Sequence, residues 1–195
     1  MKYQPFEPGH FFHLYNRGNN KEALFLEQEN YNYFLVLMKK YVLKIADVYS
    51  YCLLPNHFHV IIKFKETSQY TTDVGNTKPG LHQPISNMLN AYTKAINKRY
   101  HRRGSLFQEH LKRIKITEET YLKNLIVYVN TNSSHHQIED YRTYKYASYE
   151  TLISNGETAL KRDEVIELFG DRDNFKHVLH SRKLNMDTMR ELTLE

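Results

Sequence analysis

The sequence Leu54-Pro55-Asn56-His57-Phe58-His59-Val60-Ile61-Ile62 places two imidazoles two residues apart at the opening of an apolar, strand-like run. In an extended chain, residues i and i+2 point to the same face, so His57 and His59 are predicted to project side by side. The preceding residues, 48–54, also have the composition of a strand, and Pro55-Asn56 is typical of a turn. The stretch therefore predicts a β-hairpin that presents half of a metal site.

Four segments around the hairpin complete the predicted fold. Residues 10–17 are rich in aromatic side chains and predict a first strand, and residues 28–45 carry apolar side chains at helical spacing. After the hairpin, residues 84–100 predict a second helix and residues 105–116 an extended segment. Strand, helix, hairpin, helix, strand is the order of the ferredoxin-like fold. We therefore predict an α+β protein with a ferredoxin-like antiparallel sheet and its helices on one face.

A third helix is predicted after the sheet, with Thr117 as its cap. Its core-facing residues recur at i, i+3, i+4 and i+7, and they are Leu122, Leu125, Ile126 and Val129. Tyr128 and Asn132 lie at i and i+4 on the flank of this stripe, neither central to the core nor fully outside it. From spacing alone, Tyr128 is an aromatic residue at the edge of the core with its hydroxyl in water.

The chain has 195 residues, which is long enough for one sizeable core with an appendage. We predict a domain over residues 1–140 and a partly helical C-terminal extension over 141–195. Within the domain, residues 66–82 show little periodicity and predict a loop. In the extension, short helices are predicted at 163–169 and 171–182, followed by a frayed tail from residue 184.

The charge of the chain is positive and unevenly distributed. Lys and Arg number 27 against 22 Asp and Glu, which gives a net charge of +5. Between residues 98 and 115 there are seven Lys or Arg and one Glu. The seven are Lys98, Arg99, Arg102, Arg103, Lys112, Arg113 and Lys115. The positive field is therefore local, and it favours a polyanionic partner.

Cysteine content and hydropathy indicate the compartment of the protein and whether it enters a membrane. The single cysteine, Cys52, excludes an internal disulfide framework and is predicted to be a small buried hydrophobe. The first six residues lack the apolar region of a signal peptide, and no run of about 18 apolar residues occurs. We expect a cytoplasmic protein with no segment in a membrane.

Two histidines at this spacing also occur by chance, but the surrounding sequence resembles a known motif. Residues 54–59 resemble the HUH motif (His, bulky apolar residue, His) of single-strand nucleases and transposases. Within that superfamily they are similar to the REP-associated tyrosine transposases, relatives of the small single-tyrosine insertion-sequence transposases. Residues 15–19, Tyr-Asn-Arg-Gly-Asn, are similar to the opening strand of that family, and residues 160–170 to the C-terminal extension of one branch.

The third predicted helix carries the second half of the resemblance. Residues 128–132, followed by His135-His136, match the family's Tyr-(Ile/Val)-x-x-Asn-Pro helix end, in which the first Tyr is the nucleophile. The chain departs from this pattern at Ser133, where the family usually has Pro. Because Pro would end the helix, its absence means that the sequence does not determine where the helix ends.

The resemblance implies a function for each of these residues. Tyr128 would be the catalytic nucleophile, and His57 and His59 would be two metal ligands. Asn132 is the candidate for the third ligand, because the smaller insertion-sequence relatives have a Gln one helical turn after the tyrosine. We expect Mg²⁺ or Mn²⁺. Zn²⁺ stays open because two imidazoles suit it, although an amide ligand and a phosphate favour a harder ion.

The implied activity is a metal-dependent single-strand DNA endonuclease or transposase. It would recognise hairpins of palindromic repeats and cleave through a 5′-phosphotyrosine, leaving a free 3′-hydroxyl. A divalent ion would neutralise the phosphate charge that repels nucleophiles. Arg17 is a DNA-binding candidate by the resemblance. The basic run supplies the other candidates, which are Arg99, Arg102, Arg103, Lys112 and Arg113.

Two other functions stay open from the sequence. The chain could be a DNA-hairpin binding protein or regulator that retains the fold without cleavage. It could also be a metallophosphoesterase in which His57 and His59 activate water and Tyr128 is incidental. In each case the protein would be a monomer or a homodimer, and the partner of the first two would be single-stranded or hairpin DNA.

Overall fold

The computed structural model describes residues 4–66 and 80–181. Within these ranges the strands are β1 (Phe11–Arg17), β2 (Ala46–Leu54), β3 (His57–Phe64) and β4 (Lys112–Ile116). The α-helices of the same ranges are α1 (Gln28–Tyr41), α2 (His82–Arg99), α3 (Glu119–His135), α4 (Tyr149–Ile153), α5 (Arg162–Leu168) and α6 (Arg172–Ser181). The described strands form one antiparallel sheet in the order β2-β3-β1-β4. The predicted ferredoxin-like α+β fold is confirmed.

Helices α1 and α2 pack on one face of the sheet. Alternate residues of the central strands, such as Phe12 in β1 and Val60 in β3, point to this face and join a buried core. The helices contribute Tyr31, Phe34, Leu37, Met38, Ile85, Met88, Tyr92 and Ile96. Each fully buried side chain of this size stabilises the fold by about 1.5–3 kcal/mol, so this face anchors the sheet.

Helix α3 covers the opposite face, so the predicted one-sided arrangement applies only to α1 and α2. In β3, Phe58 and Val60 belong to the core under α1 and α2, whereas Ile61 belongs to a second core with α3. A strand buried on both faces has a continuous apolar run, which is the pattern of residues 60–62.

Helix α3 is more deeply buried than the sequence predicts. Tyr128 is 1% exposed and Asn132 is 0% exposed, whereas both were expected on the flank of the core stripe. The reason is that α3 lies between the sheet and α4–α6, which share its core. Ser133 lies inside the helix, which continues to His135, so α3 does not end at the position where the family usually has Pro.

Several element boundaries differ from the prediction. Helix α1 ends at Tyr41, and α3 begins after Glu118, not after Thr117. Strand β4 is shorter than the predicted segment 105–116, because Gly104 (φ 87°) and His110 (φ 66°) have left-handed backbone conformations that break an extended chain. Residues 67–79 of the predicted loop and the predicted tail from residue 184 lie outside the described residues.

The C-terminal extension adds to the free edge of β2. Ala147 forms an antiparallel bridge with Cys52, and the Leu53 amide donates to the Tyr146 carbonyl at 2.9 Å. The ring of Tyr146 stacks on Tyr31 of α1 with centroids 3.6 Å apart. Cys52 is 0% exposed, which confirms its prediction as a buried hydrophobe. The division at residue 140 stays a prediction.

A buried polar network joins this extension to the domain. The Ser148 hydroxyl donates to Asn130 Oδ1 of α3 at 2.7 Å and accepts from the Tyr51 amide of β2 at 3.1 Å. Asn130 Nδ2 donates to Ser50 Oγ at 3.0 Å. All three side chains of the network, Ser50, Asn130 and Ser148, are 0% exposed. The network therefore fixes α3 against the sheet through fully desolvated groups.

We expect Ser148→Ala to destabilise the protein by about 1–3 kcal/mol, because Asn130 Oδ1 and the Tyr51 amide lose a buried partner. Urea denaturation monitored by circular dichroism measures this change. Thr143→Ala is the control, since this hydroxyl is in the same extension but exposed, and it should change stability by less than about 0.5 kcal/mol. Equal losses in the two variants would show that the network does not fix the extension.

Candidate active site

The β2–β3 hairpin and the end of β1 build a polar face under α3. In the β1–β3 register, Arg17 pairs with His57 and Tyr15 with His59. Paired residues point to the same face of a sheet. The Gly18 amide donates to the Asn56 carbonyl at 2.8 Å, which holds the hairpin turn against the end of β1. The sequence therefore places two imidazoles, a phenol and a guanidinium at one end of the sheet.

His57 and His59 lie side by side, as predicted, with ring centroids 5.3 Å apart. The Nδ1 atom of each ring is hydrogen-bonded: that of His57 lies 2.7 Å from Asn56 Oδ1, and that of His59 lies 2.9 Å from His13 Nε2. Both Nε2 atoms are buried, and within residues 4–66 and 80–181 neither has a hydrogen-bond partner. Two imidazole nitrogens are thus available to a ligand.

Helix α3 brings Tyr128 and Asn132 to the same pair of histidines. The Tyr128 ring meets His59 edge to face, with centroids 5.5 Å apart. The Asn132 side chain lies beside His57, where burial lowers the pKa of the imidazole and the contact with Asn132 only partly opposes this. Both polar atoms of the Asn132 amide are buried, and among the described residues they make no hydrogen bond of normal geometry. The structure therefore assembles the predicted nucleophile and all three predicted ligands.

Burial keeps the two histidines neutral. Burial is the main cause that lowers the pKa of His57 to about 3, followed by the neighbouring His136 and Arg17. Burial also holds the pKa of His59 well below its ordinary value. Neutral imidazoles are the form that binds metal ions, so no proton has to leave at neutral pH.

These donor atoms suit a divalent ion. Nε2 of His57, Nε2 of His59 and Oδ1 of Asn132 are buried atoms that metal coordination would satisfy. Within the described part of the chain, no three His, Cys, Asp or Glu side chains group as a metal site, so a third protein ligand beside the two histidines would be of another kind, such as the Asn132 amide. A ligand set that includes an amide oxygen suits Mg²⁺ or Mn²⁺ better than a set made only of imidazoles, which suits Zn²⁺.

The structure adds three histidines to the cluster. His13 contacts His59, the His136 ring lies 4.7 Å from His57, and the His135 ring stacks near Tyr128. The sequence does not single out His13, because residues 10–17 predict only a strand rich in aromatic side chains. The available signal was the alternation of His13, Tyr15 and Arg17, which places polar groups on one face of β1.

Arg17 is the DNA-binding candidate nearest to this cluster. It pairs with His57 across the strands, and its charge contributes to the low pKa of that imidazole. Its Nε atom is buried and has no hydrogen-bond partner in the part of the chain that the structure describes. A guanidinium in this position can bind a phosphate oxygen.

The fold places the other five DNA-binding candidates in different environments. Lys112 is exposed and pairs with Tyr15, which places it on the face of the site. Arg113 points to the other face, where its guanidinium lies over the Phe6 ring at 4.5 Å.

Two arginines of the basic run are neutralised within the fold. Arg99 forms an ion pair with Glu27, and Arg102 forms one with Glu22. Arg103 is exposed in the loop after α2. The positive field predicted over 98–115 is therefore reduced by acidic residues that are distant in the sequence.

The comparisons with known proteins support the fold. No protein-family model and no curated protein matches the chain. Among solved structures, the chain is similar to a REP-associated tyrosine transposase bound to a REP hairpin, with a TM-score of 0.59 and 13% identity over 82% of this chain and 88% of that one. At this identity, the similarity shows a shared fold.

A second solved structure, a bacterial tRNA(His) guanylyltransferase-like protein in complex with ATP, has a TM-score of 0.41 and 10% identity, covering 94% of this chain and 76% of that one. A likeness at that level does not establish a shared fold. Among the helices of residues 4–66 and 80–181, none combines the length and the hydropathy of a membrane span.

Proposed function

We propose that this protein is a metal-dependent endonuclease or transposase that cleaves single-stranded DNA next to a hairpin through a tyrosine. The observation that carries the proposal is the contact between Tyr128 and His59 in a buried cluster whose Nε2 and amide atoms lack partners among the described residues. A solved protein of the same fold is bound to a DNA hairpin, which supports the substrate class.

In this proposal, different residues carry out different parts of phosphodiester cleavage. His57, His59 and Asn132 would hold the ion, which would neutralise the phosphate and orient it for attack. The Tyr128 oxygen bonds to phosphorus and gives up its proton, and the bond from phosphorus to the 3′ oxygen breaks. That oxygen keeps the electron pair and takes up a proton. The products are a 5′-phosphotyrosine and a free 3′-hydroxyl, so the strand can be rejoined without a nucleotide cofactor.

Arg17 would bind the phosphate that Tyr128 attacks. Its position beside His57 puts a fixed positive charge next to the metal ligands. Negative charge develops on the phosphate oxygens during attack, and a guanidinium placed there stabilises it. Arg17 therefore combines DNA binding with charge stabilisation in this proposal.

Hairpin binding without cleavage is the second candidate, and one observation favours it. Tyr128 is 1% exposed, so its ring is closed to a DNA phosphate in this conformation. Incubation with labelled single-stranded DNA that carries a hairpin, followed by a denaturing gel, separates the candidates. A covalent protein-DNA adduct requires the tyrosine mechanism. Binding without an adduct supports the silent binder, and cleavage without an adduct supports the metallophosphoesterase.

We expect Arg103→Ala to weaken hairpin binding at low salt and to reduce the slope of log affinity against log salt. The slope should fall by roughly 0.7 for a lost single-strand phosphate contact, or roughly 0.9 in a duplex stem. Arg103 is exposed, whereas Arg99 is paired with Glu27. Arg99→Ala is therefore the matched control and should change the slope less.

Fluorescence anisotropy with a labelled hairpin across a salt series measures both quantities. A wild-type slope for Arg103→Ala would show that this arginine is a solvated charge. The DNA path would then depend on Arg17 and Lys112, which lie on the face of the site.

A further inference from the structure

We infer that His13 is a positioning residue that fixes the tautomer and the orientation of His59, so that the His59 Nε2 lone pair points to the metal site. The inference rests on the proposed function for the role of the metal. Its geometric basis is independent of that function, because it concerns the hydrogen bond between two buried imidazoles.

Two rings hold His59 in place. His13 Nε2 lies 2.9 Å from His59 Nδ1, and the two side chains are 0% and 1% exposed. The ring planes of His13 and His59 differ by 19°, and Tyr15 stacks against both, with centroids 4.8 and 5.6 Å away. Rotation of the His59 ring would break both the hydrogen bond and the stack.

The hydrogen bond also determines which nitrogen of His59 can bind a metal. A neutral imidazole has one N–H donor and one lone-pair acceptor. If His59 Nε2 binds the ion, the proton is on Nδ1 and is donated to His13 Nε2. His13 then carries its own proton on Nδ1. The opposite arrangement would place a proton on His59 Nε2 and close that nitrogen to a metal.

The neighbouring ligand has the same arrangement. The His57 Nδ1 proton is donated to Asn56 Oδ1 at 2.7 Å, and its Nε2 is left for the ion. Metal-binding histidines usually donate their second nitrogen to an acceptor in this way, which fixes the ring and increases its basicity. Asn56 and His13 are therefore equivalent partners of the two ligands, although Asn56 lies in the β2–β3 turn and His13 in β1.

A packing role alone does not explain a histidine at this position. His13 Nδ1 is buried, and within residues 4–66 and 80–181 it has no hydrogen-bond partner. A leucine would fill a comparable space without burying an unpaired polar atom. A histidine at this position therefore lowers the stability of the core. Its hydrogen bond to His59 provides a reason for its presence.

The tautomers are measured directly by ¹⁵N-detected histidine NMR of the metal-free protein. We expect His59 to carry its proton on Nδ1 in the wild type and in His13→Gln, because the Gln side-chain oxygen can replace His13 Nε2 as acceptor. In His13→Leu, the Nε2–H tautomer should gain population. A wild-type His59 with its proton on Nε2 would overturn the inference, whatever the activity of the protein.

Metal affinity gives the second readout, with Mn²⁺ as the probe and isothermal titration calorimetry as the method. His13→Leu should bind Mn²⁺ about 10–100-fold more weakly than the wild type, and His13→Gln should recover most of the loss. Ile61→Val is the packing control, because Ile61 pairs with His13 across the strands and makes no side-chain hydrogen bond. It should leave the affinity unchanged.

The outcomes separate the inference from the proposed function. If wild type and His13→Leu bind Mn²⁺ equally well, the positioning role is wrong and the metal site stands. If the wild type binds no Mn²⁺, the proposed metal site fails, and the NMR result alone then decides whether His13 sets the His59 tautomer. If His13→Leu does not fold, the wild type and His13→Gln still give both measurements.

Discussion

Tyr128→Phe should eliminate the covalent protein-DNA adduct while hairpin binding stays within a few fold of the wild type. The substitution removes only the oxygen that would attack phosphorus, and the ring keeps its contact with His59. Adduct formation should therefore fall below detection, since no other group bonds to the DNA in this mechanism. The assay is a denaturing gel with 5′- and 3′-labelled single-stranded substrate and Mn²⁺.

Tyr121→Phe is the matched control. Tyr121 lies on α3, two turns before Tyr128, which separates the two residues by about 10 Å along the helix axis. This variant should form the adduct at the wild-type level. If Tyr128→Phe still forms the adduct and Tyr121→Phe does not, the nucleophile is Tyr121, and the cluster around His59 has another role.

The sequence predicts the local parts of this site because their signals are local. The hairpin follows from Pro55-Asn56 between two apolar runs, and the side-by-side placement of His57 and His59 follows from the two-residue period of a strand. Helical spacing likewise puts Tyr128 and Asn132 on one side of α3. These relations need no knowledge of the rest of the chain.

The burial of Tyr128 depends on tertiary structure, and the sequence pattern therefore underestimates it. An apolar stripe predicts one buried face, but α3 is covered by the sheet on one side and by the C-terminal helices on the other. The contact between His13 and His59 also depends on strand order, since the residues are 46 positions apart and meet only because β1 and β3 are neighbours.

The basic run of residues 98–115 shows that the charge of a sequence segment does not predict the charge of the surface it forms. Counted along the sequence, residues 98–115 have a large positive charge. In the fold, Glu27 is the N-cap of α1 and pairs with Arg99 at the end of α2, and Glu22, which precedes α1, pairs with Arg102 just after α2. Net charge in a sequence window therefore overstates the field that DNA would meet, because partners from other elements neutralise it.

His57→Ala and His59→Ala should each reduce Mn²⁺-dependent cleavage by about 100-fold or more, because each removes a ligand of an ion that stabilises the transition state by several kcal/mol. Both Nε2 atoms lack partners among the described residues, so their removal breaks no hydrogen bond at that nitrogen. Each variant does lose the hydrogen bond at Nδ1, to Asn56 or to His13, so it should be less stable than the wild type but folded under the assay conditions, as circular dichroism and a thermal melt would show. Their affinity for Mn²⁺ should fall with their activity.

His10→Ala is the control for losing a histidine, since His10 is exposed and its ring contacts only the surface near Pro8 and Glu7 in the described structure. It should cleave DNA like the wild type. EDTA should stop wild-type cleavage, and added Mg²⁺ or Mn²⁺ should restore it. If His57→Ala and His59→Ala both unfold, the two histidines are structural. If both fold and still cleave with Mn²⁺, the ion is held elsewhere, and the unpaired Nε2 atoms under α3 do not form the metal site.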